Sequence, residues 1–402
     1  MFWYHKILVT VGTAIVAGCA TTLPAGSVEP TKPVPLCQND LAAIHVNFPT
    51  ARANKCHIDS TKHLTLTIDP ENKPINSSPW YAFKVSPNKK GTLRITLNYA
   101  HSEHRYPPKI SYDGVNWKLL SAAKIDKLAP DKIRMRIRLK DRPVYISAQE
   151  IFSVGAHNSW IEKTEKLPFV TRSTIGTSLE DRPLYKLEAR TDADVKKPYI
   201  ALVGRQHPPE VTGALALLPF AETVLGESDL ATKFREAYDV IIIPNMNPDG
   251  VTHGNWRHNM NGVDLNRDWG PFKQPETKAV EQEFERFKTG RDEIVLFLDF
   301  HSTRRNLLYT QTDAEPTNPA FFTRDWLKAV DDRLSDKTYK FTREQSPNSG
   351  KPVSKNYMYM TYGIPAITYE VGDNTDRKSI AVAAEIFAEE MMKTLLAPES
   401  EC

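Results

Sequence analysis

No sign of charge dominates this sequence: 52 lysines and arginines stand against 49 aspartates and glutamates, a formal net charge of +3 over 402 residues. Without a lopsided balance or a basic stripe, a nucleic-acid-binding surface is excluded, and the scattered cations read as a solvated exterior. The apolar run from Ile7 to Ala17 is too short to span a bilayer. Cysteine is scarce, at four residues, and no two of them form a CxxC pair, which argues against a cysteine zinc site. Nothing in the composition points to wholesale disorder, since 40% of residues are hydrophobic and 25% charged. The length suffices for two domains, each with its own core.

Lys6 ahead of that apolar run makes a signal-peptide pattern. The run closes on Val16-Ala17-Gly18-Cys19, which resembles the lipobox of bacterial lipoproteins. The resemblance implies a signal peptide over residues 1–18, a lipid anchor at Cys19 and a periplasmic location, with Ala20 favouring the outer membrane. A plain secretory signal with a chance cysteine is the alternative. Residues 19–36, rich in Thr and Pro, read as a tether. Cys37 and Cys56 are spaced for a disulfide in an oxidising compartment, whereas Cys402 has no evident partner.

Between Leu64 and Gln149 apolar and polar residues alternate in short runs, as in Ile133-Arg134-Met135-Arg136-Ile137-Arg138-Leu139. Period two with turn signals such as Asp113-Gly114 predicts an antiparallel β-sandwich with one wet face, over residues 37–165. Arg136, Arg138 and Lys140 belong to that wet face, and no catalytic constellation is evident there. Over residues 166–402 the rhythm changes. Continuous apolar runs at Tyr199–Val203, Val240–Ile243, Ile294–Leu298 and Ala366–Tyr369 predict strands buried on both faces. Helical patterns lie at Val211–Leu225, Glu276–Phe287, Asn318–Leu334 and Ile380–Leu395. The expected fold is therefore an α/β domain, a mostly parallel mixed sheet with helices on both faces, behind a small antiparallel β-sandwich. Ligand sites in such sheets gather at the carboxyl ends of strands.

Polar motifs follow those strands. His207-Pro208-Pro209-Glu210 comes after the first, and its prolines suggest a helix start with His207 at the cap and Glu210 in the first turn. Ligands at that spacing could supply N and O donors to zinc. The second strand runs into Asn247-Pro248-Asp249-Gly250, Gly254-Asn255-Trp256-Arg257 and Asp264-Leu265-Asn266-Arg267. The third ends in His301-Ser302 and the fourth carries Glu370. Taken singly, each has an ordinary reading as a surface residue or salt bridge.

In this order the set resembles the zinc metallocarboxypeptidases related to carboxypeptidase A, and within them the cytosolic-carboxypeptidase branch. Ile75 to Phe83 and Arg105 to Lys109 are similar to the β-sandwich that precedes the catalytic domain in that branch. The resemblance covers most of the chain after about Asp59 and implies one zinc ion held by His207, Glu210 and His301. Two His and one carboxylate leave a position open for water, whose pKa such a metal lowers to about 7. The resemblance makes Glu370 the general base and Arg257 the stabiliser of the oxyanion. Asn266 and Arg267 would clamp the substrate's terminal carboxylate, and Asp264 would orient a ligand His.

One departure concerns the mobile tyrosine that carboxypeptidase A relatives place about twenty residues before the base. Pro347-Asn348-Ser349-Gly350 stands there instead, and Tyr357, Tyr359 and Tyr362 are the nearer candidates, with core packing as their other reading. Lys351, Lys355, Arg304 and Arg305 suggest a pocket that reads an acidic terminal residue, unless they all face solvent. The implied activity is removal of a C-terminal residue from a peptide. Murein peptide is an alternative substrate, suggested by the expected location. A non-catalytic binding lipoprotein is a further one, opposed by the filled ligand and base positions.

Overall fold

Alternating side chains in the first half make two sheets whose apolar faces share one core. The computed structural model describes residues 34–397 apart from 73–75, 335–338 and 348–349, so Cys19, most of the tether and Cys402 lie outside the described residues. One sheet has the order Cys37–Gln38, Ala42–His45, Ala82–Pro87, Val144–Ser147, Lys109–Ser111, Lys118–Leu119. The other runs Lys55–Ser60, His63–Ile68, Gly91–Tyr99, Lys132–Leu139, Ile125–Ala129. Along Lys132–Leu139 the residues Ile133, Met135, Ile137 and Leu139 are buried, while the intervening cations are not. One pairing departs from the antiparallel expectation: His63–Ile68 runs parallel to Gly91–Tyr99. Between them the chain crosses into the opposite sheet as Ala82–Pro87 and returns, so it re-enters in its original direction. The expected disulfide is present, and Cys37–Cys56 ties the first strand of one sheet to the first strand of the other.

The second half builds one eight-stranded sheet in the order Val170–Thr177, Pro183–Ala189, Asp239–Ile243, Tyr199–Gly204, Ile294–Thr303, Ala366–Gly372, Leu307–Thr310, Thr342–Gln345. The four inner strands, Asp239–Ile243 to Ala366–Gly372, are mutually parallel, and antiparallel pairings join them to both flanks. Their unbroken apolar runs follow from cover on both faces. Ile200 and Leu202 pack into a core with helices Val154–Thr164, Val211–Val224, Asp229–Ala237, Phe322–Leu334 and Arg377–Leu396. Tyr199, Ala201 and Val203 pack into another with Pro275–Lys288 and Ser354–Tyr362.

The sandwich core does not stop at the sandwich. Val211, the first residue of helix Val211–Val224, is buried in it, with Leu215 packed alongside. The helix that leaves the first inner strand is therefore wedged against the sandwich.

Candidate active site

The strand Tyr199–Gly204 ends where backbone geometry turns the chain sharply. Arg205, with φ of 54°, is 1% exposed, and its guanidinium donates to the Pro208 carbonyl through Nε at 3.1 Å and Nη2 at 2.6 Å. That brace fixes the loop carrying His207. The expected placement of His207 at the cap needs correction: Glu210 is the N-cap, and the helix starts at Val211. Pro208 and Pro209 cannot donate backbone hydrogen bonds and disfavour helical geometry in the residue before each, so the turn completes only after them. Glu210 makes no capping bond with its side chain, which is spent on two imidazoles. His207 Nδ1 lies 2.9 Å from Glu210 Oε1, and His301 Nδ1 lies 2.8 Å from Oε2.

His301 reaches this point because helix and strand approach closely. A Cβ at Gly213 would lie 2.5 Å from the His301 carbonyl oxygen, so only glycine permits the contact. Ser302 Oγ accepts from the Gly213 N–H at 2.8 Å and from Thr212 Oγ1 at 2.8 Å, locking the register. Ligand atoms of His207, Glu210 and His301 all lie within 4.8 Å of one another. Each imidazole turns Nδ1 towards the shared carboxylate while a different aspartate faces its Nε2. Asp264 Oδ1 lies 2.8 Å from Nε2 of His207, and Asp299 Oδ2 lies 2.8 Å from Nε2 of His301. With an aspartate at each Nε2, the Nδ1 lone pairs are free for a cation, and two imidazoles with one carboxylate suit zinc. Burial alone would lower both histidine pKa values, but the facing carboxylates outweigh it and raise them.

Asp264 takes the orienting role expected from sequence. Asp299 was not singled out there, nor was the buried chain behind it. Gln206 Nε2 and Ser354 Oγ donate to Asp299 Oδ2, and Trp269 Nε1 donates to Gln206 Oε1 at 2.9 Å. The available signal was a charge inside the apolar run Ile294–Phe300, which demands partners when buried.

Glu370 lies on the strand next to His301 and directly opposite it in register. Its Oε2 is buried with no hydrogen-bond partner. Burial pushes its carboxyl up to about 7, with His301 pulling the other way and Glu210 adding to the rise. A carboxyl so placed can take a proton near neutral pH. Arg257 Nε donates to Asp264 Oδ2 at 2.6 Å, and its backbone N–H donates to Glu71 of the sandwich at 2.9 Å. Asn266 is held through Oδ1 by the Ser354 N–H at 2.8 Å, and Arg267 is the more exposed, at 48% of its side chain.

All seven sequence-predicted residues line one cleft of about 430 Å³. Lys351 and Lys355 line it too, Lys355 being buried with Nζ donating to the Ser346 carbonyl at 2.9 Å. Arg304 and Arg305 do not: both are exposed, and Arg305 faces Glu344. None of Tyr357, Tyr359 and Tyr362 lines the cleft. Tyr357 packs edge-on against Phe272 with ring centroids 4.9 Å apart, and Tyr362 donates to the Phe284 carbonyl. Tyr309 lines it instead, as do Arg105 and Tyr106. The last two belong to the sandwich, which holds no catalytic constellation of its own but lends part of the cleft wall. Its contribution comes from a loop, outside any periodic pattern.

A family profile described as zinc carboxypeptidase matches residues 157–394. Among curated relatives, cytosolic carboxypeptidase 2 of Xenopus tropicalis is 29% identical over 148 residues, covering 36% of this chain and 15% of that protein. Cytosolic carboxypeptidase 6 of Caenorhabditis elegans is 29% identical over 160 residues, covering 38% and 35%. The chain thus spans well under two thirds of the length of these relatives. A solved metallo-carboxypeptidase from Burkholderia cenocepacia shares the fold at a TM-score of 0.76 and 18% identity, over 88% of this chain and 99% of the other. One from Pseudomonas aeruginosa, in complex with (2-guanidinoethylmercapto)succinic acid, does so at 0.72 and 21%, over 88% and 98%.

Proposed function

The chain belongs to the zinc carboxypeptidase family, and from that premise we propose that it is a metallocarboxypeptidase that removes the C-terminal residue of a peptide. One observation carries the reading. Two imidazoles converge on a single buried carboxylate, with an unpartnered carboxyl directly across the strand pair from one of them. A zinc ion held by His207, Glu210 and His301 would supply Lewis acidity towards water and a carbonyl. Glu370 takes a proton from the attacking water and passes it to the leaving amine. Arg257, with Nε fixed by Asp264, turns its remaining N–H groups to the developing oxyanion. Arg267 and Asn266 receive the terminal carboxylate.

Lys351 and Lys355 support a preference for a terminal residue with an extra carboxylate, because a cation in a partly dry cleft gains from an anionic partner. A lipid anchor at Cys19 would place the enzyme in the periplasm, where murein peptides are the alternative substrate. The test compares zinc-loaded and chelated protein on peptides ending in Glu, Leu and Lys and on purified murein peptides. No zinc-dependent release from any of them overturns the hydrolase. Equal or better cleavage of the Leu-ended peptide removes the acidic preference alone.

A further inference from the structure

We propose that Arg105, a residue of the β-sandwich, is a substrate-binding residue that donates to the main-chain carbonyl one residue upstream of the scissile carbonyl. The proposal rests on the carboxypeptidase reading and specifies how the cleft holds the part of the peptide that is not released.

Arg105 is built into place. Its Nε and Nη2 both reach Asp373 Oδ2 at 2.9 Å. Its guanidinium lies against Tyr106 and Trp256, 5.0 and 5.9 Å from their ring centroids. Those rings are themselves fixed: Tyr106 is buried in the sandwich core, and Trp256 Nε1 donates to its hydroxyl at 3.3 Å. Asp373 is 4% exposed, with its N–H on the Thr303 carbonyl at 2.7 Å and its own carbonyl accepting from Gln149 Nε2 at 3.1 Å. A surface arginine that merely tied two domains together would need none of this confinement.

What the confinement leaves over is Nη1, which has no partner among the described residues, on a side chain 17% exposed that lines the cleft. Position and charge decide its target. Thr303 and Asp373 continue the two strands that carry His301 and Glu370, so Arg105 sits just beyond the strand ends where the reaction is placed. Arg267 and Asn266 are assigned to the terminal carboxylate, and Arg257 to the scissile carbonyl. The next main-chain acceptor of a bound peptide is the carbonyl one residue upstream. Asp373 already neutralises the guanidinium, so the free N–H favours a neutral carbonyl over a second carboxylate. A charged hydrogen bond of this kind corresponds to roughly 10- to 100-fold in affinity.

The experiment uses zinc-loaded full-length protein carrying Glu370→Gln, so that ligands bind without turnover. Calorimetry compares N-acetyl-phenylalanyl-glutamate with 3-phenylpropionyl-glutamate, which differ only in the upstream acetamido group. In the Glu370→Gln protein the acetylated ligand should bind roughly 10- to 100-fold tighter. Adding Arg105→Gln should abolish that advantage while leaving affinity for the shorter ligand unchanged. Arg105→Lys, which keeps a cation beside Asp373 but has no second edge, should lose it as well. No advantage before Arg105 is changed, its retention in Arg105→Gln, or equal weakening of both ligands would overturn the proposal. Failure of the parent protein to hydrolyse any peptide would overturn the carboxypeptidase reading while leaving this binding difference measurable.

Discussion

At the scale of single residues, metal and proton compete for the same cluster. His207→Ala removes one of three donors, and metal analysis should find zinc lost along with activity. Glu370→Gln should retain stoichiometric zinc yet lose turnover by at least a hundredfold, since an amide of the same shape cannot accept a proton. Zinc lost from the second variant, or kept in the first, would reassign the ligands. Asp299 touches no substrate but faces Nε2 of His301. Asp299→Asn should weaken zinc by roughly 10- to 100-fold in a chelator competition. The pH dependence has a definite sign. Glu370 is raised from 4.5 to about 7 by burial, so the metal-free fold keeps this proton where the unfolded chain has released it. That contribution to stability is complete below about 4.5 and is lost as pH rises through about 7. The raised histidines act in the same sense above their ordinary 6.5. A cation favours the carboxylate and needs bare imidazoles. Zinc should therefore lift Tm more at pH 8 than at pH 6, and an equal lift would show that no proton is displaced.

Elements explain what was legible in advance. The four inner strands could be read because cover on both faces demands unbroken apolar runs, and Tyr199–Val203 and Val240–Ile243 are too short for a buried helix. The ligands could be read because the motifs, in this order along the chain, resemble those of the zinc metallocarboxypeptidases, although none is decisive alone. Local departures were hidden in backbone geometry: the helix start slipped past two prolines to Val211, and the parallel pair in the sandwich depends on a crossover that alternation cannot encode. Asp299 and Arg105 were missed for a different reason, since their roles depend on partners distant in sequence, Ser354 and Asp373. The close approach of helix Val211–Val224 to His301 gives a sharp test. Gly213→Ala would press a methyl group onto the His301 backbone, so the helix must move and carry Glu210 with it. We expect a loss of about 1–3 kcal/mol in urea unfolding together with weakened zinc binding. Full zinc affinity in a stable variant would show that the contact is slack.

At the scale of the whole molecule, the sandwich and the α/β sheet share walls. Arg377 pairs with both oxygens of Glu150, Glu71 accepts from the backbone of Arg257 and His258, and Val211 sits in the sandwich core. Zinc release and tryptophan fluorescence should therefore report one unfolding transition. Opening the Cys37–Cys56 link by double serine substitution should shift both together, by about 3 kcal/mol for a separation of 19 residues. Two separate transitions would mean that the halves unfold independently. The sheet order also has a consequence in time. Strand Ala366–Gly372, which carries Glu370, lies between Ile294–Thr303 and Leu307–Thr310, which are made well before it. Delivered N-terminus first to the compartment where it folds, the chain holds both neighbours with an open slot between them, and all three metal donors arrive before the base does. A half-made chain could thus take up its ion while still unable to cut, and cleaving power would arrive only when the slot is filled.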